Sequence, residues 1–259
     1  MIARKLIPEE YAAWNRKHGA PFGREREKRQ LLKNWVPQNT WLKWRGPFAL
    51  QTNNSIRAFE YPWAWHASSP KPGMRAIEIG GGLSGFQFAL NQAGVHVVNL
   101  DPGMGELGWE YSTKRFNELN RLFKTEVKFI PEPVETARLE AGSFDRIFCI
   151  SVLEHLSFDA ASSILNSCSK LLSENGRLIV TLDLFLNLIP FTGRTSNEYG
   201  ENLNVKKLVD ASDLSLIQGD PKELFGYPEF DATAILSGLE DYLVGNYPAL
   251  SQCFVLEQK

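Results

Sequence analysis

Ala76-Ile-Glu-Ile-Gly-Gly-Gly-Leu-Ser-Gly85, followed by Val97-Val-Asn-Leu-Asp101, decides the fold of this chain. Apolar residues run into a cluster of glycines, a helical pattern follows, and a second apolar run ends on a carboxylate. That order reads as a strand, a tight turn, a helix and a parallel strand whose terminal acid can grip a ribose. An adenine nucleoside or dinucleotide is the expected ligand, and which of the two it is decides the function.

From Arg75 onward, strand and helix patterns alternate. Strands are predicted at 75–79, 95–100, 126–130, 144–150 and 176–183. Between them, Phe86/Ala89/Leu90/Ala93, Phe116/Leu119/Leu122/Phe123 and Ala161/Ile164/Leu165/Cys168/Leu171 each share a face at the 3.6-residue period. Alternation of this kind argues an α/β fold, a doubly wound and mostly parallel sheet with helices on both faces.

The flanks read differently. Residues 1–72 carry short helical patches and six tryptophans, Trp14, Trp35, Trp41, Trp44, Trp63 and Trp65, and are expected to form a helical, aromatic cap. Trp63 and Trp65 alternate as on a strand or extended segment. Pro70-Lys-Pro-Gly73 separates this cap from the core, because two prolines and a glycine break any regular element. Residues 184–203 read as a long mixed loop, a lid. A helix at 204–211, a strand at 214–217, a helical stretch at 236–244 and a last strand at 251–257 follow. The expected division is therefore a cap (1–72), a ligand-binding core (73–183) and a lid with the completion of the sheet (184–259).

The 259 residues, 43% apolar and 22% charged, suit a soluble globular protein with a substantial core. No apolar run approaches the roughly 20 residues of a membrane span, so no membrane contact is expected, and the N-terminus lacks a secretory apolar block. Cys149, Cys168 and Cys253 are far apart, show no metal-type spacing and read as buried thiols, which makes the cytoplasm the default location and a metal site unexpected. The net charge of −2 hides an asymmetry: residues 1–45 hold 11 Lys/Arg against 4 Asp/Glu. A basic arm on an acidic body can attract an anionic substrate or partner, although the mixed run Arg24-Glu-Arg-Glu-Lys-Arg29 also suits a solvated helix.

Gly80-x-Gly82-x-x-Gly85, with Asp101 16 residues further on, meets the dinucleotide fingerprint literally. Its surroundings favour a different ligand. Glu78 stands two residues before the first glycine, where a carboxylate would repel a pyrophosphate but favours the ammonium and sulfonium of S-adenosylmethionine. Ser143-Phe-Asp-Arg-Ile-Phe-Cys-Ile-Ser-Val-Leu-Glu-His155 supplies a fourth strand and its turn. Leu171-Leu-Ser-Glu-Asn-Gly-Arg-Leu-Ile-Val-Thr181 supplies a helix end, a Gly176 turn and a fifth strand.

On these motifs the chain resembles the class I S-adenosylmethionine-dependent methyltransferases, in the group whose fourth strand ends in Ser-Val-Leu-Glu-His. The resemblance covers about residues 74–183. It implies a seven-stranded sheet whose antiparallel seventh strand lies at the edge. It further implies that Glu78, Gly80, Gly81 and Gly82 surround the methionine and ribose, since side chains on these glycines would block the ligand's approach to the backbone. Asp101 would accept from both ribose hydroxyls, with Pro102 turning the chain and Gly103 or Met104 lying against the adenine. Where relatives carry an acid for the adenine amino group this chain has Pro133, so the contact would pass to the Val134 N–H, or to Glu132 or Glu135. Ser151 would sit near the methionine end.

Methyl transfer needs alignment of acceptor and methyl group, and a base only where the acceptor must lose a proton. His155 is the candidate base, against the alternative of a helix-start histidine bonded to backbone; Glu154 reads as structural. Trp65, Asp183, Arg194 and Tyr199 are candidate acceptor contacts. The expected acceptor is a small molecule, because the inserted segments can enclose a pocket and no nucleic-acid module is present; homo-oligomerisation stays open. The competing readings are a nucleic-acid methyltransferase using the basic arm, an NAD(P)-dependent oxidoreductase, and a nucleoside-binding protein that has lost transfer.

Overall fold

The computed structural model describes residues 1–20, 31–32, 34–50, 55–103, 112–245 and 247–259. Met104 and the Arg24–Arg29 run lie outside the described residues. Seven strands belong to one sheet of order β3-β2-β1-β4-β5-β9-β8, and β6 and β7 form a separate ribbon. These are β1 (Arg75–Ile79), β2 (His96–Leu100), β3 (Lys128–Ile130), β4 (Phe144–Ile150), β5 (Leu172–Phe185), β6 (Ser196–Asn197), β7 (Gly200–Glu201), β8 (Leu214–Gln218) and β9 (Ala249–Gln258). The chain divides into two compact units, residues 7–137 and residues 1–6 with 138–259. Residues 7–72 of the expected cap thus share one unit with the first three strands, and residues 1–6 belong to the other.

In residues 7–137, β1 pairs parallel with β2 and β2 with β3, in registers that set Glu78 beside Asn99 and Asn99 beside Phe129. Helix α4 (Gly85–Gln92) connects β1 to β2, and α5 (Thr113–Phe123) connects β2 to β3. The predicted face of α5 is the buried one, with Phe116, Leu119 and Phe123 inward and the Ser112 side chain capping its start. The Phe116 ring stacks on Phe129 of β3 at 4.3 Å.

The cap consists of α1 (Glu9–His18), α2 (Gln38–Arg45), a 3₁₀ turn at Pro47–Ala49 and α3 (Arg57–Ser68). Trp63 and Trp65 lie on α3, not on the extended segment that their alternation suggested. Aromatic packing overrides the local β-preference here: Trp14, Phe48, Tyr61, Trp65 and Phe86 interlock with ring centroids 5.4–6.5 Å apart. Pro62 stands inside α3 and cannot donate to Ala58, one turn back. The Asn15 amide of α1 donates to that Ala58 carbonyl at 2.9 Å, so the missing backbone bond is replaced from the neighbouring helix.

In the second unit, β4 and β5 are parallel, and β9 runs antiparallel to both β5 and β8. The antiparallel strand is therefore interior, and β8 forms the edge, a correction to the expected order. Strand β5 is longer than the predicted 176–183. Its first residue pairs with Phe144, and the register then jumps to Arg146 opposite Arg177, so the expected Gly176 turn survives as a bulge. Helix α6 (Phe158–Leu171) buries Ala161, Ile164, Leu165, Cys168 and Leu171, as its periodicity predicts. Helix α7 (Val205–Asp210) follows the 184–203 segment. The helical stretch expected at 236–244 is instead α8 (Ala232–Ser237) and a 3₁₀ turn at Leu239–Asp241, because Gly238 closes the helix between them. The 184–203 segment buries Leu184, Phe185, Leu188 and Leu203 and folds its tip into the β6–β7 ribbon. The three cysteines are buried and free. Among the described residues, no helix is long and apolar enough to cross a membrane, and no group of His, Cys, Asp and Glu could hold a metal ion.

Candidate functional site

The glycine turn forms as its spacing predicts. Gly80 and Gly82 adopt φ values of +60° and +50°, a region that favours glycine. The Gly80 N–H donates to the Leu100 carbonyl at 2.8 Å, tying the turn to the end of β2. A Cβ on Gly81 would lie 2.8 Å from the Glu78 carboxyl carbon and 3.1 Å from Asn99 Oδ1, so this glycine makes room for two protein side chains. Gly85 serves packing as well, since a Cβ there would lie 2.6 Å from the Phe48 ring.

Asp101 closes β2 and is buried, with both oxygens engaged. Oδ2 accepts from the Gly82 N–H and Oδ1 from the Gly103 N–H, each at 2.8 Å. A carboxylate oxygen has two acceptor positions, so each retains one, in an orientation that the backbone has already set. Pro102 follows on the surface.

Glu78 is almost completely buried at the end of β1. Ser84 donates to its Oε1 at 2.7 Å, whereas Oε2 has no hydrogen-bond partner among the described residues. Burial pushes its pKa up from 4.5 to about 8, against the pull of the Ser84 hydroxyl and Arg57. Two polar residues that the sequence reading passed over complete the turn: Asn99 and Gln87 both donate to the Gly82 carbonyl, at 2.8 and 3.1 Å. The signal for Asn99 was its position, a lone amide in an apolar strand. Val134 is buried, while Pro133, Glu132 and Glu135 are exposed. Trp65, expected at the acceptor, packs between Trp14 and His18 with centroids 5.6 and 5.3 Å away.

The remaining candidates belong to the second unit. Ser151 follows β4 with φ +48°, a left-handed conformation that a serine adopts only when its surroundings impose it. Its N–H donates to the Thr181 carbonyl at 3.0 Å and lies 3.1 Å from the Thr181 hydroxyl. His155 ends a 3₁₀ turn (Leu153–His155), and its Nδ1 lies 2.9 Å from the Tyr199 carbonyl. A carbonyl only accepts, so Nδ1 is the donating nitrogen and Nε2 is left outside this bond. Glu154 is fully buried, in keeping with a structural role.

Asp183 is buried inside β5, so it caps no helix. Its Oδ2 accepts from the Tyr247 hydroxyl at 2.7 Å. The Tyr199 ring stacks on Tyr247 at 4.6 Å and faces Phe185 at 6.2 Å. Asn202 clamps the segment, pairing with both the N–H and the carbonyl of Phe185 at 2.6 and 2.9 Å. Tyr247 and Asn202 were missed. Nothing in the local sequence links Tyr247 to an acid 64 residues earlier. Arg194 is exposed on the loop, where the structure shows its backbone bonded to Ile189 and Thr192.

The ends of β1 and β2 thus bring together a glycine turn, the buried acid Asp101 and the buried carboxyl of Glu78 in an α/β protein. Comparison with known proteins narrows the class. Residues 77–178 match the model of a methyltransferase domain family. The ubiquinone biosynthesis O-methyltransferase of Bordetella avium (strain 197N) is 25% identical over 123 residues, which are 48% of this chain and 48% of that protein. The match thus spans about half the length of this curated relative. Among solved structures, the 1,6-didemethyltoxoflavin-N1-methyltransferase of Burkholderia thailandensis superposes with a TM-score of 0.53 at 15% identity, covering 100% of this chain and 95% of its own. The geranyl diphosphate C-methyltransferase of Streptomyces coelicolor A3(2) gives 0.53 at 11% identity, covering 79% and 78%. Over residues 77–178 the chain is thus similar to a methyltransferase domain, on a fold that it shares with these solved methyltransferases.

Proposed function

We propose that this protein transfers the methyl group of S-adenosylmethionine to a small-molecule acceptor. The observation that carries the reading is Glu78, a buried carboxyl with one oxygen unpartnered beside the glycine turn. A pyrophosphate would disfavour the ionised form of Glu78 and gain no attraction from it, whereas an ammonium or sulfonium supplies the positive charge against which Glu78 can ionise. Asp101, with one acceptor position left on each oxygen, suits the two ribose hydroxyls. Gly80 and Gly82 shape the backbone around the donor, Pro102 and Val134 take its adenine side, and Ser151 its methionine end. The bound donor supplies a methyl group already activated by a positively charged sulfur.

The protein's own contribution is then to align the acceptor in line with that methyl group and to keep water out. Asp183, Tyr199 and Arg194 are assigned to the acceptor; Trp65 packs inside the cap and is assigned there. Where the acceptor must lose a proton, His155 Nε2 takes it, with the Tyr199 carbonyl holding the ring in that tautomer. The toxoflavin and ubiquinone relatives act on small molecules by name, which supports a small acceptor here. The free, buried thiols support a reducing, cytoplasmic setting.

Two measurements test the reading. S-adenosylhomocysteine at 100 times its Kd should stabilise the protein by about 2.7 kcal/mol, and NADH should leave the melting temperature unchanged; the reverse pattern overturns the proposal. Incubation with methyl-labelled S-adenosylmethionine and an extract of small metabolites should then yield a labelled low-molecular-weight product. Label recovered only in nucleic acid refutes the small-molecule acceptor.

A further inference from the structure

The basic N-terminal arm has no part in methyl transfer as described so far, yet the fold gathers four of its cations at one place. Within residues 7–137 a cavity of about 720 Å³ is lined by Arg16, Lys17, Lys43, Arg45 and Lys124, with His18 and Trp44 beside them. No carboxylate among the described residues lines it. The cations come from three separate elements, α1, α2 and the residue that caps α5. Their convergence rests on close helix contact: a Cβ on Gly19, which ends α1, would lie 2.7 Å from the Arg45 carbonyl.

The plain explanation is that these residues neutralise helix ends. The C-termini of α1, α2, α4 and α5 all reach this cavity, and four such ends amount to roughly −2 charges. Arg16 is further matched by Glu9. Arg16, Lys17, Lys43 and Lys124 alone bring four side-chain cations to one cavity, about one more than the helix ends and Glu9 call for. His18 adds nothing to the count near neutrality, because burial lowers its pKa to about 4.

The cavity is also distinct from the donor site. Gln92, in its wall, closes α4, whose first residue Gly85 follows the glycine turn. At 1.5 Å per residue the helix keeps the two apart by about 10 Å.

We propose that this cavity binds a small molecule bearing a polyphosphate group. Its volume lies in the range that holds one small ligand. Separated lysines and arginines suit several phosphate oxygens better than a single carboxylate. Trp44 is 70% exposed at the rim, with the Arg45 guanidinium 5.5 Å from its ring, and offers a stacking face to a base. The phosphate chemistry is common to free polyphosphates and nucleoside triphosphates, and the experiment separates the two sources.

The test is titration calorimetry of the full chain with inorganic tripolyphosphate and with ATP, in parallel with S-adenosylhomocysteine. Both phosphates should bind the parent protein, ATP more tightly if Trp44 stacks on the base and equally if only the polyphosphate is held. Lys43→Glu and Lys124→Glu should each weaken that binding at least tenfold and leave S-adenosylhomocysteine binding unchanged. Both positions are exposed, and the milder Lys43→Ala and Lys124→Ala should weaken it in the same order. Absence of binding at millimolar concentration, or binding untouched by these substitutions, overturns the proposal. So does a single-stranded oligonucleotide that binds here while tripolyphosphate does not. Failure of S-adenosylhomocysteine to bind counts against the methyltransferase reading alone.

Discussion

Replacing Glu78 with glutamine should stabilise the ligand-free protein at pH 8 and weaken its hold on the donor. In the folded chain the carboxyl titrates near 8, because burial penalises its charged form; unfolded, it titrates near 4.5. Between these values the folded state holds a proton that the unfolded state has released. Stability therefore falls as pH rises from about 4.5 to about 8 and is level above that. The interval corresponds to about 5 kcal/mol as a ceiling, or roughly 10–20 °C in melting temperature for a chain near this size. Glutamine has the shape of the protonated acid, can still accept from Ser84, and has nothing to ionise. The variant should match the parent near pH 4.5 and pull ahead steadily up to pH 8.

Thermal unfolding of both proteins between pH 4.5 and 8.5 gives the answer as a difference. That difference matters because His18 works in the opposite direction. Its lowered pKa makes stability rise with pH between about 4 and 6.5, equally in both proteins. A difference that stays flat with pH, or a glutamine variant less stable at pH 8, refutes the reasoning. The second half of the argument is read by calorimetry in buffers of different ionisation enthalpy. Near pH 7 the parent should release up to one proton on binding S-adenosylmethionine, as Glu78 ionises to meet its positive charge, and the variant none from this group.

Three further outcomes follow from the same geometry. Asp101→Asn leaves one acceptor oxygen for the Gly82 and Gly103 N–H groups, so one of these donors loses its partner. The expected cost is about 1–3 kcal/mol of stability, with S-adenosylhomocysteine affinity reduced at least tenfold by calorimetry. Tyr247→Phe takes a donor from the buried Asp183 and should lower kcat, while the donor Kd stays within twofold of the parent. His155→Ala should spare donor binding in the same assay; where the acceptor carries an acidic proton, single-turnover rates should fall about 10²–10⁴-fold.

Much of the fold was legible because its signals are local. The core strands and the buried faces of α5 and α6 emerged from periodicity alone, since a helix or strand covered on one side must repeat its apolar residues at a set interval. What was misread depended on contacts between distant segments. Trp63 and Trp65 alternate like strand residues, and Pro62 argues against a helix. The segment is helical because Asn15, far away in sequence, supplies the bond that Pro62 cannot and because Trp14 and Phe86 pack on Trp65. The order of the last strands was equally hidden, since the pairing of β9 with β5 is set by which strands meet and not by the pattern of either.

The candidate site divides along the same line. Its donor half is written in one stretch of about 25 residues, where a strand end, a turn and a second strand end must be close, so Glu78, the glycines and Asp101 could be read together. Even there the roles shifted. Gly81 was read as clearance for a ligand, yet it makes room for Glu78, and the last glycine of the fingerprint, Gly85, makes room for Phe48. A turn that must hold a buried carboxyl needs its glycines for the protein first, and ligand access follows from that. The group around Asp183 contains residues from 155 to 247 joined by two hydrogen bonds and a ring stack, and no spacing rule spans such a distance. A methyl donor is the same molecule for every enzyme that uses it, so a compact local motif can encode its site. An acceptor differs from enzyme to enzyme, and the segments proposed to meet it here, such as 184–203 with Asp183, are ones that only the folded chain brings together.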